Sequence, residues 1–225
     1  MLLAMAERRP IVMTNSIDPI STGLVASLSR PGGNVTGFTN DDGSEILGKR
    51  FELLKEAVPN LSRVGLLFNA DFAGNRSRQT PLRKTAEALG LTLVPAEANG
   101  LDALERAFAI MVREHAQAFV VQADSVLFNH RGQIAEMGLK NRLPAASVAR
   151  EFAEAGFLLT YGPDLRDLYR RSTVFVDKIF KGVKPSDLPV EQPTRFELMV
   201  NLKTANALGI DIPPTLLTRA DEVIE

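Results

Sequence analysis

Arg63-Val64-Gly65-Leu66-Leu67-Phe68-Asn69 is a continuous apolar run closed by a polar residue. It shows no alternation, so both faces of such a strand must be buried, as in a parallel sheet with helices on either side. The pattern repeats downstream. Residues 78–89 are predicted as a helix closed by Gly90, with Ser77 as its cap; Leu91 to Ala96 follows as a strand. An amphipathic helix over 101–115 carries Leu104, Phe108 and Met111, and Ala118 to Gln122 is a second buried strand. Residues 129–141 read as helix, 145–148 as a short strand and Arg150 to Ala155 as a helical turn. Phe157 to Tyr161 is a strand, and Leu165 to Lys181 a long helix stopped by Gly182. Strand and helix in alternation predict an α/β fold with parallel sheets.

Upstream, Ile11-Val12-Met13 is a short apolar run leading into Thr14-Asn15-Ser16. A helix is predicted from about Ile20 to Leu28, with Asp18 as N-cap and Pro19 as its first residue. Arg30-Pro31-Gly32-Gly33-Asn34 then makes a turn, and Val35 to Thr39 another strand. Phe51, Leu54 and Val58 recur at helical spacing. Near the end, Phe196 to Asn201 reads as a strand, and 202–208 as a helix closed by Gly209.

Ligands of open α/β sheets bind beyond the carboxyl ends of the strands. Three predicted strands end in polar clusters there: Thr14-Asn15-Ser16, Asn69-Ala70-Asp71 and Gln122-Ala123-Asp124-Ser125. Together they predict one polar rim and hence a binding cleft. Asp18 serves equally as a helix cap or a ligand contact, because a helix N-terminus also attracts anions. Asn75-Arg76-Ser77 offers donors for a carboxylate, and Phe72, Phe128 and Phe152 are candidates to sandwich a flat ligand.

Composition narrows the function. Hydrophobic residues make up 45% and charged residues 24%, as in ordinary globular proteins. A formal charge of -1 argues against an extended nucleic-acid or anionic-membrane surface, and the absence of Trp with only two Tyr argues against a base-stacking platform. There is no Cys, so disulfides, thiolate metal sites and Cys nucleophiles are excluded. The start, Met1-Leu2-Leu3-Ala4-Met5-Ala6, lacks the basic stretch and long apolar core of a secretory signal.

No catalytic constellation is found. His115 and His130 fit no metal spacing, and there is no GxGxxG after a strand, no phosphate-binding loop and no GxSxG. Asp18, Asp71, Asp124 and Asp164 could form an acid pair only if two converged, and caps or ligand acceptors are commoner uses. No cofactor, no metal site and no enzymatic activity are therefore expected.

Asp18-Pro19-Ile20-Ser21-Thr22-Gly23-Leu24-Val25, followed by Ser29-Arg30-Pro31-Gly32-Gly33-Asn34-Val35-Thr36-Gly37, resembles the signature of ABC-transporter substrate-binding proteins of the TrpX-like group. Further matches are Leu53-Leu54-Lys55-Glu56, Tyr161-Gly162-Pro163-Asp164, Leu188 to Thr194, Asn201 to Ala205, Ala207-Leu208-Gly209 and Arg219-Ala220-Asp221-Glu222. The resemblance implies a type I periplasmic-binding fold of two Rossmann-like lobes, with 1–37 and 162–190 in lobe one and 38–161 and 191–225 in lobe two. It implies a small polar solute, such as an amino acid, held between the lobes by Ser16, Asp18, Thr36, Asn69, Asn75, Arg76, Asp124, Ser125 and Tyr161. It also implies ABC permease partners and a periplasmic location, with no nucleic acid and no membrane insertion. Members normally begin with a signal peptide and further βα units. The first lobe is therefore expected to be incomplete, leaving an open sheet edge at Ile11 to Thr14 that favours self-association. Two other readings stay open on the residues alone: a ligand-sensing effector domain of a transcription regulator, and a small α/β enzyme.

Overall fold

The computed structural model describes residues 9–20, 22–40, 44–72 and 75–225, with the side chains of all of these except 44, 45, 76 and 77. The chain divides into two compact units. The first holds residues up to 42 together with 163–196; the second holds 43–162 and 197–225.

In the first unit, β1 (Ile11–Ser16) and β2 (Val35–Thr39) form a parallel pair, with Met13 opposite Gly37. The long helix α7 (Leu165–Phe180) packs on them: Leu168 and Phe175 join Phe38 and Leu188 in one buried cluster. Phe38 and Phe175 meet edge to face, with centroids 5.3 Å apart, an arrangement favoured by their ring quadrupoles. The predicted helix over 20–28 does not form: the described residues there are turns and bends. Asp18 sits at φ +48, whereas a cap needs an extended backbone, and Gly23 also lies in the left-handed region at φ +71. The Pro19 carbonyl takes the N–H groups of both Leu24 and Val25, and the Ser27 hydroxyl bonds the backbone of Arg30. Such local bonds compete with a helix and prevail here.

The second unit is a seven-stranded sheet in the order β4-β3-β5-β6-β7-β8-β9. From the β4 edge inward it holds β3 (Arg63–Phe68), β4 (Thr92–Glu97), β5 (Ala118–Gln122), β6 (Ala145–Ser147) and β7 (Leu159–Pro163), parallel from β4 through β7. β8 (Phe196–Asn201) and the short β9 (Glu222–Ile224) finish it. Every residue of β5 is buried, as a continuous apolar run between two helical layers requires. The core gathers Phe51 and Leu54 of α1 (Ser44–Ala57) with Val64, Leu66, Val120 and Leu158. Each such large side chain contributes roughly 1.5–3 kcal/mol on burial.

Helix α2 (Asn75–Ala88) starts three residues earlier than its sequence suggests, so position 77 lies inside its first turn. α3 (Leu101–Arg113) matches its expectation apart from the last turn, where His115 takes φ +57. The helix expected over 129–141 is α5 (Arg131–Lys140); a short helix that was not expected, α4 (Ser125–Asn129), precedes it, and His130 ends the one and opens the other. Phe152, on the short α6 (Arg150–Glu154), is fully buried and packs edge to face on Phe128 and Phe157. It is a core residue, so it does not stack on a ligand.

The terminal strand is tied down by α8 (Leu202–Leu208) and an ion pair, while α9 (Pro214–Arg219) packs against α1. Arg150 pairs with Glu222, and Leu198 N–H donates to the Asp221 carboxylate at 2.8 Å. Burial works against the Arg150 charge, but the hydrogen bond and attraction of Glu222, with Glu197 and Glu154 nearby, hold its pKa above the ordinary guanidinium range. A raised folded value gives stabilisation that is complete below the unfolded pKa and lost only as pH climbs through the higher folded one. From the Arg150 side, the pair therefore operates at all ordinary pH. Arg150→Ala is expected to destabilise by about 1 kcal/mol, since Glu222 is half exposed to solvent. It should also speed proteolysis after Ala220, which a limited digest followed by mass spectrometry would read.

Candidate functional site

In the second unit, the carboxyl ends of β3 and β5 lie side by side, because the register pairs Phe68 with Gln122. The chain turns off both strands through buried polar residues. Asn69 is buried, and its carbonyl accepts the Asn75 side-chain amide at 2.8 Å. Its own Oδ1 takes the Asp71 N–H at 3.0 Å, which makes the tight turn into α2. Asn75, also buried, is the first residue of α2, and its carbonyl accepts Gln79 Nε2. The Asn75 N–H donates to the Phe72 carbonyl at 3.2 Å, and the positive end of the α2 dipole makes this turn a favourable place for a carboxylate.

Beside this turn stand two acceptors. Asp124 is the N-cap of α4: Oδ1 takes Leu127 N–H at 2.8 Å, while Oδ2 is buried without a hydrogen-bond partner. Gln122 is 3% exposed, and its Oε1 is likewise buried without a partner. A buried acceptor left unmade costs about 1–3 kcal/mol, more for a charged one. Two such oxygens, two residues apart, stand without a donor among the described residues and so are open to one from a ligand. A cationic or amide donor fits; an anion does not.

The remaining predicted residues are placed as follows. Ser125 is the exposed first residue of α4. Tyr161 is half-buried on β7, and its carbonyl accepts Arg50 Nε at 2.7 Å. Arg50 is wholly buried, so a guanidinium lies against the middle of β7. The Arg76 side chain lies outside the described residues. Thus Asn69, Asn75, Asp124 and Ser125 share one region of the second unit, the tips of β3 and β5.

In the first unit, Ser16 ends β1, and its carbonyl accepts both the Thr39 hydroxyl at 2.9 Å and the Asn40 N–H at 2.8 Å. The Asp18 carbonyl accepts the N–H and hydroxyl of Thr22. Thr36 is fully buried within β2, and its hydroxyl donates to the Leu188 carbonyl at 2.7 Å. That bond fastens β2 to the 185–190 segment and leaves Thr36 a structural role. Asn40, by contrast, stands just past the tip of β2 with a buried, unpartnered Oδ1.

Asn40 and Arg50 are therefore the residues that sequence reasoning missed, while Gln122 was placed on the polar rim without being named as a contact. Gln122 is the last residue of β5 and Asn40 follows directly on β2, and that position at the end of a buried strand was the available signal. No sequence feature distinguishes Arg50 from the solvated charges around it on α1.

A hollow of about 290 Å3 opens at the ends of β3 and β4, lined by Ala70, Asp71, Glu97, Asn99, Ala103 and Arg106. Asn99 donates to Asp71 there at 2.8 Å. None of the predicted contacts lines it. Among the described residues, no group of three or more His, Asp or Glu side chains is placed to hold a metal ion, and no helix is long and apolar enough to cross a membrane.

A family model for ABC transporter substrate binding proteins matches residues 1–224. A tyrosine-binding protein of Clostridioides difficile (strain R20291) is 25% identical over 201 residues, which are 89% of this chain and 57% of that protein. The chain thus spans little more than half the length of that curated relative. The structure of the ABC domain from Streptococcus pneumonia in complex with L-Trp superposes with a TM-score of 0.89 at 26% identity, covering 99% of this chain and 76% of the other. A conserved domain protein from Vibrio cholerae O1 biovar eltor gives 0.90 at 26% identity, over 99% and 74%. The fold is of the type I periplasmic-binding-protein kind.

Proposed function

Because this chain belongs to the ABC transporter substrate-binding protein family, we propose that it is the solute-binding part of an ABC-type importer and that its solute is an amino acid with an aromatic side chain. One observation carries the chemistry: the buried, unpartnered acceptor oxygens of Gln122 and Asp124 beside the first turn of α2. A zwitterion answers both halves. Its ammonium donates to Gln122 Oε1 and Asp124 Oδ2, and its carboxylate lies toward the positive end of α2, with Asn75 and Arg76 close by in sequence. Asn69, Ser125 and Tyr161 complete the proposed contacts on the second unit. On the first unit the proposal is confined to Ser16, Asp18 and Asn40, at the tips of its own two strands.

Tyrosine and tryptophan are favoured because two relatives carry them in their descriptions, one as a tyrosine-binding protein and one in complex with L-Trp. The work of such a protein is binding and release, with no covalent step. Its partners would be a permease and the ATPase that drives it, and its place the outer side of the cytoplasmic membrane. A thermal-shift screen of the amino acids tests the reading. L-tyrosine or L-tryptophan at about a hundredfold excess over Kd should add on the order of 2.7 kcal/mol and raise Tm by several degrees. Unchanged melting with every amino acid would sink it.

A further inference from the structure

We infer that the carboxyl-terminal end of α7 and the turn after it dock on an anionic lipid surface, with Phe180 and Val183 entering the headgroup boundary and lysines meeting the lipid phosphates. Isolated exposed apolar residues are ordinary. Here they are concentrated. Of the nine exposed large hydrophobic side chains among the described residues, five fall between 169 and 183: Tyr169, Val174, Val176, Phe180 and Val183. Phe180 is 86% exposed, the most of any. Tyr169, Val176 and Phe180 are spaced seven and four residues apart, which sets them along one side of the helix. The face of α7 that holds the fold together is a different one, built from Leu168, Ser172 and Phe175. Docking through the exposed side therefore leaves the unit intact.

Charge decides the partner. Residues 165–184 carry six basic and two acidic side chains, in a chain whose overall formal charge is -1. Both acids are already engaged: Asp167 lies near Arg170 and Arg171, and Asp177 pairs with Lys181 at 2.8 Å. Arg171 turns inward, over the Phe38 ring and onto Glu191 at 2.6 Å. Arg166, Arg170, Lys178, Lys181 and Lys184 remain exposed. Lys178, Lys181 and Lys184 flank the two apolar tips directly, across a turn made possible by Gly182 at φ +94. A basic face beside a large apolar side chain is the composition of helices that lie in a membrane interface. A second copy of this chain suits the surface less well, because self-opposition would bring the same lysines together. Near-zero overall charge thus conceals a local patch that the composition could not disclose.

Co-sedimentation of the whole chain with vesicles tests the inference. It should partition onto phosphatidylcholine vesicles containing phosphatidylglycerol, be released by high salt, and ignore phosphatidylcholine alone. Lys184→Ala should lower the partition coefficient about fivefold, and Phe180→Ser roughly tenfold or more, while Phe180→Leu stays near the parent value. Phe180 is exposed, so all three variants should melt with the parent, which separates lost docking from lost folding. Equal partition onto both vesicle types, or partition indifferent to Phe180→Ser, would overturn it. So would light scattering that shows a dimer which Phe180→Ser dissociates.

Discussion

Asp124→Asn is expected to weaken amino-acid binding by about a hundredfold, on the order of 2.7 kcal/mol, without unfolding the protein. The substitution separates the two tasks of this side chain. Asn caps a helix as well as Asp does, so the bond from Leu127 N–H to Oδ1 survives and α4 keeps its start. The second oxygen, which has no partner among the described residues, becomes an amide N–H₂. A donor then faces the proposed ammonium, and the charge that would balance it is gone. Titration calorimetry would give the loss in affinity, and a melt of the unliganded variant within about 0.5 kcal/mol of the parent would show that the cap is preserved. Asp124→Ala is less informative, because it removes the cap as well, for about 1 kcal/mol.

Gly37→Ala is expected to abolish the folded first unit, at a cost above about 4 kcal/mol. Gly37 lies at φ +118, a region that side-chain-bearing residues avoid. A Cβ there would sit 2.0 Å from the Met13 carbonyl oxygen and 2.8 Å from the Met13 nitrogen, inside the backbone of the paired strand. Neither strand can yield easily, since Gly37 also accepts a bond from Glu191 N–H at 2.9 Å and Phe38 anchors the core against α7. Hydrogen exchange should lose protection over 11–39 and 163–196, while the seven-stranded unit, with its separate core, retains its own. Full protection in the first unit would contradict this.

Much of the second unit was legible because its strands are short apolar runs that only a doubly covered sheet can bury. Helix ends were less so. The short helix α4 was missed because Asp124-Ser125 reads as a polar strand end, and Asn75 rather than Ser77 opens α2 because the buried Asn75 amide fastens back onto Asn69. The clearest failure, residues 20–28, shows the limit of cap grammar. Asp18-Pro19 has the residue types of a helix start, but the side-chain bonds of Thr22 and Ser27 favour turns, and two left-handed residues fix them.

At the site, Asp124 could be read from its cap position and Asn69 from its place after a strand. Gln122 could not be singled out: its significance is an oxygen buried without a partner, which is a fact of packing. Thr36 illustrates the converse, a polar residue in the right stretch whose hydroxyl is consumed by the Leu188 carbonyl.

The requirement for an ammonium group is the sharpest consequence of those two bare oxygens. Calorimetric titration of L-tyrosine beside 3-(4-hydroxyphenyl)propionate, the same molecule without its amine, addresses it directly. The prediction is saturable binding of the amino acid and a loss of at least a hundredfold for the amine-free acid. Equal affinity for both, or binding of neither, would contradict the assignment.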